Sequence, residues 1–146
     1  MTAVHITLGI AVVAVNLAAG LHGAFAWWRL RDAPGFWPLL RAGQGLVAVE
    51  AALGVALSLS GEPLPPLHLV YGLTPLGVAL FAEQLRLVAA QTELDHRKLD
   101  GRDAVAALPE AERRRLVGAI VRREMGVMAA SALVVTLLGV RASGWL

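Results

Sequence analysis

Residues 67–87 read LHLVYGLTPLGVALFAEQLRL, an apolar run with a histidine at its entrance and a carboxylate, Glu83, most of the way through. A helix needs about 20 mainly apolar residues to span the hydrocarbon core of a bilayer. Lipid offers no hydrogen bonds, so a spanning segment must satisfy its backbone internally, which for a single run of this length means a helix. Ionisable residues inside such a span are costly and point to function. His68 and Glu83 are therefore the residues to explain.

Three further runs accompany it. The expected spans are about 3–28, 42–60, 67–90 and 125–140, with a polar, arginine-dense segment at 91–124. The chain is 57% hydrophobic and 16% charged, against about 25% charged residues in soluble domains. Its 146 residues suit one domain. There is no cysteine, which excludes disulfides, thiolate metal sites, iron–sulfur clusters and thioether haem attachment. The sequence carries no Gly-x-Ser-x-Gly, His-Glu-x-x-His or phosphate-loop motif.

Ala24-Phe25-Ala26 has the small-x-small form of a signal-peptide cleavage site. No basic residue precedes the run, however, and it exceeds the 7–15 apolar residues typical of a signal sequence, so a retained helix is expected. Pro34-Gly35 and Pro38 break the first connection, and Gly61-Glu62-Pro63-Leu64-Pro65-Pro66 makes the second a tight turn that cannot continue a helix. Pro75 lies within the third span, where membrane helices tolerate it. Past a break at Asp100-Gly101, a new helix is expected from Pro109, running on into the fourth span.

Charge sets the expected orientation. Arg29, Arg31 and Arg41 flank the first connection; Arg86, Arg97, Lys98, Arg102, Arg113 to Arg115, Arg122 and Arg123 flank the third; the second has only Glu62. Positive residues favour the cytoplasmic side. The expectation is an all-α, integral membrane up-and-down four-helix bundle in the cell membrane, with N and C termini outside. Basic residues placed this way report orientation, and no nucleic-acid partner is expected.

On this topology His5 opens the first span and His68 the third, at one depth near the outer face. At 100° per residue, Gly9, Asn16, Gly20, Gly23 and Trp27 share the face of His5. Gly72, Pro75, Ala79, Glu83 and Arg86 share that of His68. Each histidine thus has a glycine one turn deeper, Gly9 and Gly72. Two readings stand side by side. Imidazoles could ligate the metal of a flat macrocycle for which the glycines leave room, or the glycines could serve tight helix packing while the histidines hydrogen-bond at the headgroup layer. For Glu50 and Glu83 the expected partners are Arg86, His22 or Asn16, with a proton or quinone site as the alternative. His22 and His96 have no mate at their own depth, and His22 is assigned to packing or hydrogen bonding.

From His5 to Tyr71 the chain resembles one half of the haem A synthases, membrane proteins whose repeated four-helix halves carry haem on histidine pairs. The shared features are a histidine opening one helix and the arginine-rich turn Trp28-Arg29-Leu30-Arg31 that ends it. Glu50-Ala-Ala-Leu-Gly54 follows, similar to a Gln-x-x-x-Gly motif, and then a proline turn leading to Leu67-His68-Leu69. The resemblance implies that His5 and His68 are the axial ligands of one haem near the outer surface. The family's acid three residues before the first ligand is Thr2 here, and there is one four-helix unit rather than two. The expectation is therefore haem binding without haem A synthesis.

These readings converge on one haem b between spans one and three, with His5 and His68 on the metal and Gly9 and Gly72 flanking the ring. The role would be electron transfer or haem handling, with a quinone or redox protein as partner and a homo-oligomer as an option. The alternative is a cofactor-free subunit or scaffold that acts through helix packing and its basic loop. A small transporter using Glu50 and Glu83 ranks behind both.

Overall fold

The computed structural model describes residues 2–61 and 66–144. Five helices follow in order: α1 (Thr2–Arg29), α2 (Phe36–Leu59), α3 (Pro66–His96), the short α4 (Gly101–Ala106) and α5 (Glu110–Ala142), with no strand among the described residues. The four long ones are each apolar and long enough to cross a membrane. The proline-rich second connection falls largely at 62–65, outside the described residues.

The helices form an up-and-down bundle whose order in space follows the chain. α1 packs against α2 and α5, α3 packs against α5 and more lightly against α2, and α1 lies diagonally across from α3. Polarity is inverted relative to a soluble bundle. Ile6, Ile10, Leu21 and Phe25 on α1, and Leu80, Phe81, Leu87 and Val88 on α3, face outward, while the polar side chains of Asn16 and Thr136 are buried. Each buried polar group turns back on its own helix: Asn16 Nδ2 donates to the Val12 carbonyl and Thr136 Oγ1 to that of Ala132, both at 2.9 Å. This is the build of a multi-pass membrane protein.

Small residues let the helices approach. Along the α1–α2 seam, Gly9 lies against Glu50, Gly43 against Asn16 and Gly23 against Phe36. Along α1–α5, Gly20 receives Leu133, Gly126 receives Trp27 and Gly139 receives Val13. The α1–α2 contacts recur every seven residues on both helices, the interval that keeps a left-handed antiparallel pair in register. A Cβ on Gly23 would sit 2.4 Å from the Phe36 ring, so glycine is required there by the neighbouring helix.

One boundary differs clearly from the sequence-based expectation. α2 starts at Phe36 rather than near residue 42, because Pro38 falls in its first turn, where the missing N–H would have had no intrahelical partner. Phe36, fully buried, anchors that turn. The polar segment 91–124 largely continues the helices on either side of it, in line with the helix expected from Pro109 into the fourth span. α3 continues to His96, and α5 runs unbroken from Glu110, with Pro109 just before its first turn, through the apolar part to Ala142. At 33 residues α5 is about 50 Å long, well beyond a hydrocarbon core of about 30 Å. The overhanging parts of α3 and α5 are joined by Arg86–Glu124 at 3.8 Å and Arg123–Glu93 at 3.3 Å.

Candidate functional site

At the end of the bundle opposite the arginine-rich one, the four long helices diverge around a cavity of about 410 Å³. All four contribute to its wall. His5 and Gly9 come from α1, Glu50 and Gly54 from α2, His68 and Gly72 from α3, and Gly139 and Ala142 from α5. Most of the remaining lining is aliphatic, and Pro75 closes the α3 side below Tyr71 and Gly72.

The sequence places His5 one turn into α1 and His68 in the first turn of α3, and the bundle brings them together across its diagonal. Their Nε2 atoms lie 3.5 Å apart, with ring centroids at 5.8 Å and the planes 73° from parallel. No side chain separates them at that distance. The other nitrogen of each ring is turned away. His68 Nδ1 is 3.0 Å from the carbonyl of Ala142, in the last turn of α5, where helix carbonyls lack an intrahelical donor. His5 Nδ1 is 3.0 Å from Glu50 Oε1. Both side chains are largely shielded, at 18% and 17% exposure.

These contacts decide the protonation pattern. A carbonyl can only accept, so the proton of neutral His68 sits on Nδ1. An ionised carboxylate beside His5 Nδ1 selects the same tautomer. Both Nε2 atoms then present lone pairs to each other at 3.5 Å. Two opposed lone pairs repel, and an electrophile between them, a proton or a metal ion, removes the repulsion. A ring N–H held by a carboxylate or a backbone carbonyl is also the usual outer-shell support of a metal-bound imidazole.

The site also offers room. Imidazole–metal bonds of about 2.0–2.1 Å, as for zinc, set trans nitrogens about 4 Å apart. The observed separation is about half an ångström shorter, a difference that small rotations of the two side chains cover. The cavity falls within the range of about 300–1,000 Å³ usual for ligand sites. It reaches from His5 to Val13 along α1, about 12 Å of helix. A Cβ on Gly72 would meet nothing within 4 Å, so that wall is open. The residues fit a flat, metal-centred macrocycle.

The expected site residues fall as follows. His5 and His68 meet. Gly72 lines open space. Gly9 lines the cavity too, but its missing side chain makes room for Glu50, whose Oε1 would lie 3.2 Å from a Cβ there. Glu50 was expected to pair with Arg86, His22 or Asn16; it faces His5 instead. Placing the start of the second span at residue 42 put Glu50 too near the arginine-rich end. With α2 beginning at Phe36, Glu50 lies nearer the other end, level with Gly9. Its partner Gly54 lies beside the same ring, a Cβ there being 3.8 Å from His5 Cε1. The Glu50–Gly54 spacing was the available signal. Glu50 Oε2 is buried without a hydrogen-bond partner among the described residues, leaving an acceptor at the cavity wall.

Glu83 belongs to a separate cluster. It accepts from Arg41 and from Gln44 at 2.9 Å, joining α2 to α3, and forms an ion pair with Arg86 on its own helix at 3.1 Å. His22 and His96 are exposed, far from the histidine pair. No protein family, curated protein or solved structure matches this chain.

Proposed function

We propose that the chain is a haem-binding membrane protein that holds one b-type haem between His5 and His68. The observation that carries this is the opposed Nε2 pair at the mouth of an apolar cavity, each ring held by its Nδ1. Bound there, the haem would supply a one-electron couple. His5 and His68 would hold it, and ligation by two imidazoles would suit electron transfer more than oxygen chemistry.

The protein's own residues supply the rest. Glu50 and the Ala142 carbonyl hold the two rings, the aliphatic wall excludes water, and Gly72 leaves space along α3. The charge asymmetry supports an arginine-rich end in the cytoplasm, with the termini and the haem toward the outer face of the cell membrane. The electron partner is a quinone or a redox protein. The likeness of residues 5–71 to half of a haem A synthase belongs to this proposal. With Thr2 at the acid position, it supports haem binding rather than haem modification.

One observation favours a second reading. At 3.5 Å the two Nε2 atoms are also within hydrogen-bond reach of each other, and a shared proton would tie α1 to α3 in a cofactor-free scaffold. An absorbance spectrum of the detergent-purified protein, expressed with ample haem supply, separates the two. A Soret band with sharp α and β bands after dithionite is the expected result. His68→Ala should abolish it while the protein still inserts, and His22→Ala should leave it unchanged. A colourless wild-type protein overturns the haem reading.

A further inference from the structure

A second cavity, of about 540 Å³, opens at the arginine-rich end between the last turn of α1, the residues after it and the overhanging part of α5. Its two sides differ in chemistry. Ala26, Leu30, Val117, Val121 and Met125 make an apolar wall, while Arg31, Arg113, Arg114 and Arg122 converge on the hollow against the single carboxylate of Asp32. Arg113 and Arg114 share Glu110. Arg31 and Arg122 form no ion pair among the described residues, and the Arg122 guanidinium lies 6.0 Å from the centroid of Trp27.

The backbone directs charge into this hollow. Leu30 ends α1 with φ of 56°, a left-handed conformation that a bulky residue seldom adopts. It lets the Arg31 N–H reach back to the Ala26 carbonyl at 3.0 Å and turns the chain across the cavity. The floor is clear at Gly118, where a Cβ would meet nothing within 4 Å.

We infer that this hollow binds the phosphate of an anionic phospholipid, the arginines taking the headgroup and the apolar wall the start of an acyl chain. Guanidinium groups present forked donors that match phosphate oxygens, and basic pockets between membrane helices are suited to anionic headgroups. A free phosphate ion would satisfy the same arginines but would leave the apolar wall unused. Trp27, at the rim, is a residue type that settles at headgroup depth.

Native mass spectrometry of the full-length protein in mild detergent tests the site. Titration with dioleoyl phosphatidylglycerol should give one tightly held lipid, at least about tenfold tighter than dioleoyl phosphatidylcholine. Inorganic phosphate at equal concentration should not displace it. Arg31→Gln with Arg122→Gln should lower the affinity by roughly tenfold or more. Lys98→Gln with Arg102→Gln, the same charge change outside the hollow, should leave it unchanged. Gly118→Leu, which fills the open floor without altering charge, should also lose the lipid, so the test survives if the arginine variant does not fold. Equal retention of the two lipids, displacement by inorganic phosphate, or equal loss in the Lys98/Arg102 variant overturns the proposal.

Discussion

His5 is held in a way that ties its chemistry to Glu50. The carboxylate beside Nδ1 makes the imidazole a stronger electron donor at Nε2. A bound iron would then be stabilised more in its ferric than in its ferrous state. If the site holds haem as proposed, Glu50→Gln, which keeps the side chain's shape but removes the negative charge, should leave the haem bound and raise its midpoint potential. A redox titration followed at the α band checks the direction. Glu50→Ala removes the support altogether and should weaken haem binding by roughly 10–100-fold, the usual range for outer-shell partners of metal ligands. The pairing of Glu50 with His5 was not legible in the sequence, because it depends on where α2 begins. Phe36-Trp37-Pro38 looks like a loop when Pro38 is taken as a helix breaker, and like a first turn only once Phe36 is seen buried against Gly23.

Among the helices, the glycines sort into two kinds that the sequence does not distinguish. Gly43 and Gly45 lie two residues apart on α2. A Cβ on Gly43 would sit 2.9 Å from Asn16 Oδ1, and one on Gly45 would meet nothing within 4 Å. Gly43→Ala forces the buried Asn16 side chain to move and should destabilise by about 1–3 kcal/mol. Gly45→Ala should be neutral or stabilising by up to about 1 kcal/mol, the helix-propensity difference between the two residues. Thermal unfolding of the two variants in the same detergent gives the comparison. The face shared by His5, Gly9, Asn16, Gly20 and Gly23 could be read from helical spacing alone, and it is the face on which α2 and α5 pack. Which large side chain fills which glycine could not, since that requires the register between two helices.

In the molecule as a whole, the two ends of the bundle are built differently. One end opens into the apolar cavity around the histidines. At the other, polar contacts tie α2, α3 and α5 together: Arg41, Gln44 and Arg86 converge on Glu83, while Arg86 and Arg123 reach Glu124 and Glu93. Glu83→Ala leaves Arg41 and Gln44 without their shared acceptor and the partly buried Arg86 without its nearer carboxylate. The expected cost is about 1–3 kcal/mol, seen as a lower unfolding temperature with the haem spectrum retained, because Glu83 is remote from the histidines. Orientation is tested separately. The chain has no cysteine, so Ala3→Cys and Arg102→Cys introduce unique thiols. An impermeant maleimide applied to intact cells should label the first and not the second.

The helical class and the four apolar runs followed from sequence, because lipid leaves the backbone only its own hydrogen bonds and because a helix repeats every 3.6 residues. The equal depth of His5 and His68 followed from the same arithmetic. Only the tertiary structure decided that the two rings meet across a diagonal, that Glu50 and the end of α5 hold their outer nitrogens, and that the arginines after α1 and along α5 share one hollow. Those facts depend on distances between helices, and such distances are set by how side chains from separate segments pack, which no single segment contains.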